Sequence, residues 1–452
     1  MGVGRRSTWF AALVAASTLA GAAIVASTPV EAASTTYYLS CRGNDGATGR
    51  SPSKAWRSFT RAEQAELRPG DKLLLERNCT WTGDRLDIAW SGTSTKRILI
   101  GNYGSGSKPL LRDGKNSVVK ITGSHLIVRG LRVHWRPFNQ IACGQSIGEV
   151  YGFNLTGGAS NVTITKSEAS GATAGVHLST RSSNNKILDN DIFENNVLTS
   201  FGSNPARDLG AWGVLVRSDG NEIAYNRLRD NTASCRNQGY KLHSNSIELY
   251  EATNTSIHHN RSEGDRVFSE LGSSAAKKAS NNLFERNIFV TDQPDSRFIT
   301  TRGADDGFGP VRSTRVLHNT TYQTGARSQG VVCGGGCGNG VLEVRNNIFV
   351  AEEKALFANG NVTLGPNLAW SVGPGDPLVQ IIRASNQTVA DAERLTITAD
   401  PRFQNANRGN FRLKRGSPAV NAADSTRVSR TDFANRGLQS GRADLGAYDS
   451  WY

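Results

Sequence analysis

The 452-residue chain contains 48 glycines and one methionine and carries a net charge of +13. Its length suits one large or two ordinary globular domains, and its moderate hydrophobicity excludes a disordered chain. A positive surface attracts anionic polymers, although arginine-rich codon usage in a GC-rich genome would produce the same charge. No basic cluster resembles a nucleic-acid-binding motif, so we expect no nucleic-acid partner.

The first 32 residues predict a secretory signal. MGVGRRSTW is a positive n-region, FAALVAASTLAGAAIVAS is an apolar h-region, and Val30-Glu31-Ala32 supplies a cleavage site. The Arg5-Arg6 pair leaves twin-arginine export open beside the ordinary Sec route. No later run approaches the ~20 apolar residues of a membrane span. We therefore expect an extracellular, secreted protein without a membrane span.

The chain has six cysteines, and in an exported protein these favour disulfides over metal thiolates. The most local pairing joins Cys41 to Cys79, Cys143 to Cys235, and Cys333 to Cys337. The CGGGC segment at 333–337 imitates a metal clip, but no histidine or third cysteine lies near it in the sequence. A disulfide-closed hairpin tip is the expected structure there.

From about residue 160 the chain repeats one phrase: an apolar residue, two variable residues and an asparagine. The copies are Ile187–Asn190, Ile223–Asn226, Ile257–Asn260, Phe284–Asn287, Val316–Asn319 and Val344–Asn347. Intervals of 27 to 36 residues between these asparagines are too irregular for a helical repeat, and no window has a 3.6-residue apolar period. Short strands with polar turns predict a β-solenoid. Asparagine tolerates the left-handed conformation at a bend, so we expect an internal asparagine ladder.

A second strand precedes these phrases, and its copies carry the most informative residues. They are Gly175–Leu178, Gly213–Val216, Ser246–Leu249 and Ser269–Gly272. Stacking them places His177, Leu215, Glu248 and Glu270 in one outward-facing column, with the two glutamates on strands about 4.8 Å apart. Like charges at that separation are destabilising. The pair must bind a cation such as Ca²⁺, share a proton, or be neutralised by a basic residue of a neighbouring coil.

Three long insertions follow the same strand, at 134–153, 195–212 and 231–244, and should wall a groove on one side. Aromatic faces there can stack on sugar rings, and arginines can pair with uronate carboxylates. We expect more than half of the loop aromatics to pack on the solenoid instead. The candidate substrate-binding residues are Trp135, Trp212, Tyr240, Arg207, Arg236 and Arg302.

Segments at both ends of the chain resemble a known family. TTYYLSCRGNDGATGRSPSKAWRSF, RPGDKLLLERNCTWTG and RILIGNYGSGSKPLL resemble the N-terminal cap and first coils of secreted right-handed parallel β-helix proteins of the pectin-lyase-like superfamily. ADPRFQNANRGNFRLKRGSPAVNAA is similar to their closing segment. The resemblance covers nearly all of the mature chain. It does not fix a reaction, because this fold hosts lyases, hydrolases, epimerases and non-enzymes.

The resemblance implies an all-β protein, a right-handed parallel β-helix with an N-terminal cap helix near Ala55–Leu67 and an irregular C-terminal cap. We divide the chain into a signal peptide (1–32), the N-terminal cap and first coils (33–118), the β-helix core with groove loops (119–350), and the last coils with the C-terminal cap (351–452).

Five residues are candidates for the chemistry: Glu248, Glu270, His177, Lys241 and His243. A hydrolase would use the two glutamates as acid and nucleophile, and a gap of about 5 to 5.5 Å would imply retention of configuration. A lyase would quench a uronate carboxylate with a cation or arginine, while a lysine or histidine removes the α proton. The resemblance implies this option, because several lyases of the superfamily pair calcium-binding carboxylates with a basic residue. The Glu-x-Glu strand of the chondroitinase-B-like group is not met here.

Calcium is the one cofactor that the sequence suggests. The segment Ala304–Phe308 is similar to the Asp-Asp-Gly-Phe-Asp calcium strand of another pectate-lyase group, although Gly309 replaces its last aspartate. A glycine-rich surface turn explains this segment equally well. The candidate metal ligands are Glu248, Glu270, Asp305 and Asp306.

The leading hypothesis is a secreted, monomeric enzyme that cleaves an extracellular acidic polysaccharide by β-elimination, because the chain is positive and the groove loops carry arginines. One alternative is a retaining glycoside hydrolase that uses Glu248 and Glu270. Another is a non-catalytic glycan-binding or adhesion solenoid, which needs stacking aromatics but no stacked carboxylates.

Overall fold

The structure is a computed structural model, and it describes residues 1–2, 33–135, 148–198, 209–233, 244–373, 378–382, 395–424, 430–437 and 443–450. The chain divides into two units, Met1–Ala33 and Ser34–Tyr452. Every structural statement below concerns the described residues of the second unit.

Strands of the described chain assemble into three long parallel sheets, and successive coils add a strand to each. Sheet 1 contains Thr36–Leu39, Lys72–Glu76, Ile98–Tyr103, Leu126–Arg129, Thr163–Thr165, Lys186–Leu188, Glu222–Ala224, Ser256–His258, Leu283–Glu285, Thr314–Leu317, Leu342–Arg345 and Thr363–Leu364. Sheet 2 contains Leu86–Ile88, Ser117–Ile121, Tyr151–Leu155, Ala174–Leu178, Trp212–Val216, Asn245–Tyr250, Val267–Gly272, Arg297–Arg302, Gln329–Cys337, Lys354–Gly360 and Val379–Ile382. Sheet 3 contains Thr80–Thr82, Leu110–Arg112, Arg132–His134, Glu168–Ser170, Asp191–Phe193, Arg227–Arg229, Arg261–Glu263, Ile288–Thr291, Thr320–Gln323, Ile348–Ala351, Asn367–Ser371 and Thr396–Thr398.

This architecture is a right-handed parallel β-helix, as the resemblance implied. The apolar residue that opens each repeated phrase points into the helix and stacks on its counterpart in the next coil. Ile187, Ile223 and Ile257 are aligned in register in sheet 1 and are fully buried. Since each coil contacts only its neighbours, burial of these stacked side chains holds the coils together.

The predicted asparagine ladder is confirmed. Each side-chain amide donates to the side-chain oxygen of the asparagine in the next coil, at 2.9 to 3.1 Å, along one buried file. The file is Asn190, Asn226, Asn260, Asn287, Asn319, Asn347 and Asn367.

The expectation that the ladder asparagines take the left-handed conformation is wrong. In the six repeated phrases the residue before the asparagine turns the chain instead, as in Tyr225, His259 and Arg286 with φ of 59°, 54° and 52°. The physical reason is that the amide must point into the solenoid to reach the next coil, so the bend falls one residue earlier.

The predicted N-terminal cap contains the short helix Phe59–Glu63, which Ser58 caps by accepting from the backbone N–H of Arg61 at 3.1 Å. The 3₁₀ helix Pro52–Lys54 precedes it. The C-terminal part contains the antiparallel hairpin Phe403–Asn405 with Asn410–Leu413 and the 3₁₀ helix Ala406–Arg408 between them. Within the described ranges, no helix has both the length and the apolar character that crossing a bilayer requires.

Two of the three predicted disulfides are confirmed, Cys41–Cys79 and Cys333–Cys337. The first closes the N-terminal cap onto the first coil, and the second lies in the strand Gln329–Cys337. Cys143 and Cys235 lie outside the described residues, so their pairing stays a prediction.

Candidate active site

The outer face of sheet 2 carries the column that the sequence predicted. His177 is paired in register with Leu215, Leu215 with Glu248, and Glu248 with Glu270. The two glutamates therefore occupy equivalent positions on directly neighbouring strands, which lie about 4.8 Å apart. Thr300 follows Glu270 in the next strand, so the acidic pair is flanked by uncharged side chains on both sides.

The two carboxyl groups have different surroundings. Glu248 is half-buried and accepts a hydrogen bond from the side-chain amide of Asn245 at 2.5 Å. Burial raises the pKa of Glu248 well above its usual range, and the charge of Glu270 raises it further, while Arg302 and Asn245 oppose the shift. Glu270 forms an ion pair with Arg302. The site therefore combines a carboxyl group whose pKa is raised with a second carboxyl group that is held by a guanidinium group.

Arg302 provides the positive charge beside the two glutamates for which the sequence analysis suggested a calcium ion. It pairs with Glu270, its Nε lies 3.5 Å from a carboxylate oxygen of Asp306, and its Nη1 donates to the carbonyl of Leu271 at 2.5 Å. Asp305 is exposed and does not line the cleft around the glutamates. Within the described ranges, no three His, Cys, Asp or Glu side chains converge as metal ligands. Because a guanidinium group already lies beside the carboxyl groups, these residues do not fit a bridging calcium ion.

We predict that calcium does not stabilise the wild-type protein. Melting temperatures in calcium chloride and in a chelator are expected to agree, because a site that already contains a guanidinium group gains nothing from a second cation. In an Arg302→Met variant the two carboxylates lose their cation, and calcium is expected to raise the melting temperature. A wild-type protein that melts markedly higher in calcium would contradict the assignment.

A cleft of about 360 Å³ opens above the glutamates. Besides Glu248, Glu270 and Arg302, its described lining residues are Glu149, Leu209, Trp212, Leu215, Arg217, Tyr250, Gly272 and Phe308. Trp212 and Leu215 pack with Tyr151 and Ala174 in an apolar cluster outside the solenoid core. The cleft thus places apolar and aromatic walls beside a charged floor, a composition that suits a sugar ring.

Arg217 is a charged residue of this cleft with a hydrogen-bond donor that lacks an acceptor among the described residues. Its Nε is buried and has no hydrogen-bond partner among the described residues, and its guanidinium group lies 5.4 Å from the ring centre of Tyr250. A buried donor without an acceptor is costly unless a ligand supplies one. A carboxylate of the substrate is the acceptor that matches a guanidinium group.

The other candidate residues are not all brought to the cleft. His177 is separated from Glu248 by Leu215, stacks on Tyr151, and accepts or donates one hydrogen bond with Asn154 at 3.0 Å. Burial lowers the pKa of His177 to about 3, so it is neutral at physiological pH. Trp135 packs against the core and donates to the carbonyl of Gly114 at 3.1 Å. Lys241, His243, Tyr240, Arg207 and Arg236 lie outside the described residues.

Sequence reasoning missed Glu149, Arg217 and Tyr250. The signal for two of them was present, because side chains on one face of a strand recur every second residue. Arg217 follows Leu215 by two positions and Tyr250 follows Glu248 by two, so both were predictable on the outward face. No comparable pattern identifies Glu149, which hydrogen-bonds with the hydroxyl of Tyr151.

No known protein family matches the chain, and no curated protein matches it. Solved structures share its fold. The pectate lyase Pel9A aligns over 92% of this chain and 97% of its own, with a TM-score of 0.56 and 15% identity. XylC, solved with xylose, aligns over 92% and 98%, with a TM-score of 0.52 and 10% identity. A rhamnogalacturonan lyase aligns over 82% and 90%, with a TM-score of 0.50 and 12% identity. At such identities the likeness shows the fold alone.

Proposed function

We propose that the protein is a secreted carbohydrate-active enzyme that cleaves glycosidic bonds of an acidic polysaccharide by hydrolysis with retention of configuration. The observation that carries this proposal is the unequal pair on sheet 2. Glu248 has a raised pKa, and Glu270 is paired with Arg302. Two neighbouring carboxyl groups in different surroundings, one with a raised pKa, are the components that acid-assisted glycoside cleavage requires.

The two residues have separate tasks in the reaction. Glu248 donates its proton to the glycosidic oxygen, and the bond between that oxygen and the anomeric carbon breaks as a carboxylate oxygen of Glu270 bonds to the carbon. Water then attacks the anomeric carbon, gives a proton to Glu248, and releases Glu270. Retention fits the register, because neighbouring strands about 4.8 Å apart suit the ~5 to 5.5 Å carboxyl separation of retaining enzymes better than the ~6.5 to 9.5 Å of inverting ones.

Arg302 has a supporting task. Its contact with Glu270 holds that carboxyl group in position, which the nucleophile needs. The same guanidinium group lies 5.5 Å from the ring centre of Phe308, so aromatic contact limits its movement. Arg302 therefore keeps Glu270 in place beside Glu248.

An acidic substrate is supported by Arg217 and by the net charge of +13. A uronate carboxylate would accept from the unpartnered Nε of Arg217, while Trp212 and Tyr250 provide surfaces for the sugar ring. An extracellular location is supported by the two disulfides, which persist in oxidising compartments, and by the predicted signal peptide.

β-Elimination is the second candidate, and Arg217 is the observation that favours it. In that reaction Arg217 neutralises the uronate carboxylate, a base removes the α proton, and Glu248 protonates the leaving oxygen. Among the described residues, no lysine or histidine lines the cleft. Lys241 and His243 remain the proposed bases. The described geometry therefore supports hydrolysis better.

Product analysis separates the three possibilities. The purified protein is incubated with neutral and acidic polysaccharides, and reducing ends, ultraviolet absorbance and the anomeric configuration of the first product are recorded. Hydrolysis predicts new reducing ends with retained configuration and without an unsaturated uronate chromophore. Appearance of the chromophore selects elimination. A glycan-binding solenoid would bind a polysaccharide of the panel and release no product, and this result would refute both catalytic proposals.

A further inference from the structure

A second groove runs along the edge between sheets 1 and 3, on the left-handed turn residues that precede the asparagine ladder. We call this surface the turn trench, and its floor is the file Gly130, Lys166, Asp189, Tyr225, His259, Arg286, His318 and Asn346. Each turn residue donates its backbone N–H to a carbonyl of the next coil, as Lys166 does to Asp189 at 2.9 Å and Asp189 does to Ala224 at 3.1 Å. The trench therefore extends along the solenoid axis, away from the cleft on sheet 2.

The chain's own C-terminal segment lies along one half of this trench. The hydroxyl of Tyr225 donates to Asn435 at 3.0 Å, and Nε2 of His259 lies 2.9 Å from the carbonyl of Asp432. Arg286 donates to the carbonyl of Gly446 at 2.9 Å. This half of the trench thus offers hydrogen-bond donors to oxygen atoms of the turns that cover it.

Two ion pairs show that this half also accepts carboxylates. Arg286 lies 3.7 Å from Asp449, and Arg345 pairs with Asp424. Arg286 is completely buried beneath the segment. The covered half of the trench therefore presents guanidinium groups to carboxylates of the segment that covers it.

The other half of the trench is an open cleft of about 650 Å³ that begins at Tyr225, where the described contacts of the C-terminal segment end. Its described lining includes five basic residues and two aspartates. Lys108 and Arg227 are neutralised by Glu168 and Glu263, each at 2.9 Å. The remaining basic residues, Arg77, Arg129 and Lys166, determine the charge that a ligand meets.

These three residues are available to an anion. Arg129 is exposed and forms no ion pair among the described residues. Arg77 hydrogen-bonds only with neutral groups, the side chain of Asn102 at 2.8 Å and the carbonyl of Gly106 at 2.7 Å. Lys166 is more than half exposed and lies 3.9 Å from Asp189, a weak contact. The exposed ring of Tyr225 adds a face on which a sugar can stack.

We propose that the open half of the turn trench binds an acidic polysaccharide chain at a site separate from the cleft on sheet 2. The described linings of the two sites have no residue in common. The ligand class follows from the open half: Arg77, Arg129 and Lys166 can pair with carboxylates, and the exposed ring of Tyr225 gives a sugar ring a face on which to stack. A second site of this kind would retain the protein on a polymer between cleavage events.

The test measures binding of polygalacturonate and alginate, with dextran as the neutral polymer, in a Glu248→Gln background that does not cleave. We expect the Arg129→Ser/Lys166→Ser variant to bind the acidic polymers about tenfold more weakly, since two exposed charge contacts are lost. Lys54→Ser/Arg57→Ser, which removes the same charge from the N-terminal cap, is the matched control. Affinity should also fall with added salt.

The proposal is overturned if the trench variant binds like the control variant, or if the parent protein binds neither acidic polymer. Binding of polyglutamate without either polysaccharide would identify an acidic peptide as the ligand and would also overturn it. When Glu248 is left unchanged, the Arg129→Ser/Lys166→Ser variant should cleave short oligosaccharides at the wild-type rate. Cleavage tests the proposed reaction and polymer binding tests the trench site, so the two proposals can fail independently.

Discussion

Replacing Glu248 by Gln is expected to abolish glycan cleavage and to stabilise the folded protein at neutral pH. Loss of a general acid lowers the rate by about 10²- to 10⁴-fold. The gain in stability has a separate cause: burial and the charge of Glu270 raise the pKa of Glu248 in the folded state. The folded protein therefore binds this proton more tightly than the unfolded chain, whose glutamates titrate near pH ~4.3. As the pH rises from there through the folded-state pKa, Glu248 progressively lowers the free energy of unfolding.

The measurement is the difference between the unfolding midpoints of the Glu248→Gln variant and the wild-type protein at about pH 4 and about pH 8. The midpoints should nearly agree at the lower pH, where Glu248 is mostly protonated in both states, and the variant should be more stable at the higher pH. Glu251→Gln is the matched control, because Glu251 lies nearby and outside the cleft lining. A variant that is destabilised equally at both pH values would show that Glu248 is ionised in the fold, and its role as proton donor would then be untenable.

The column of sheet 2 could be predicted because a parallel solenoid repeats its side-chain orientation in every coil. Aligning the strand copies Gly213–Val216 and Ser246–Leu249 with each other pairs Leu215 with Glu248, 33 residues apart, as in the structure. The partner of Glu270 could not be predicted in the same way. Sequence reasoning proposed Arg302 as a substrate-binding residue, and only the three-dimensional contacts show that it neutralises the carboxylate. An arginine side chain is long enough to reach several neighbours, so register alone does not select one.

The path of the C-terminal segment was also beyond sequence reasoning. The contact between Tyr225 and Asn435 joins residues 210 positions apart, and no repeat relates the two segments. Bulky residues in the left-handed turns had no explanation in local preferences, which favour glycine and asparagine. The structure supplies one, because His259 and Arg286 hold the C-terminal segment. The free-energy cost of the left-handed backbone conformation is offset there by long-range contacts with the C-terminal segment.

Replacing Asn260 by Ala is expected to cause a large loss of stability. The side-chain oxygen of Asn260 accepts from both the backbone and the side-chain amide of Asn226, each at 3.0 Å. Its own amide donates to the carbonyl of Ile223 at 2.7 Å and to Asn287 at 3.1 Å. The substitution leaves two donors of Asn226 buried without an acceptor. At about 1 to 3 kcal/mol for each, the free energy of unfolding should fall by about 2 to 6 kcal/mol.

The unfolding midpoint in denaturant and amide hydrogen exchange check this prediction together. Asn116→Ala, which removes an exposed asparagine side chain, should leave the midpoint nearly unchanged. In a solenoid each coil is stabilised by its neighbours, so faster exchange in the Asn260→Ala variant should be concentrated in the coils that contain Asn226 and Asn287. Uniformly faster exchange along the whole chain would show instead that the coils unfold as one cooperative unit. Because Glu248 and Glu270 lie on the coils beside Asn260, local loosening should also reduce cleavage, whereas a loss at Asn347 should leave the cleft intact.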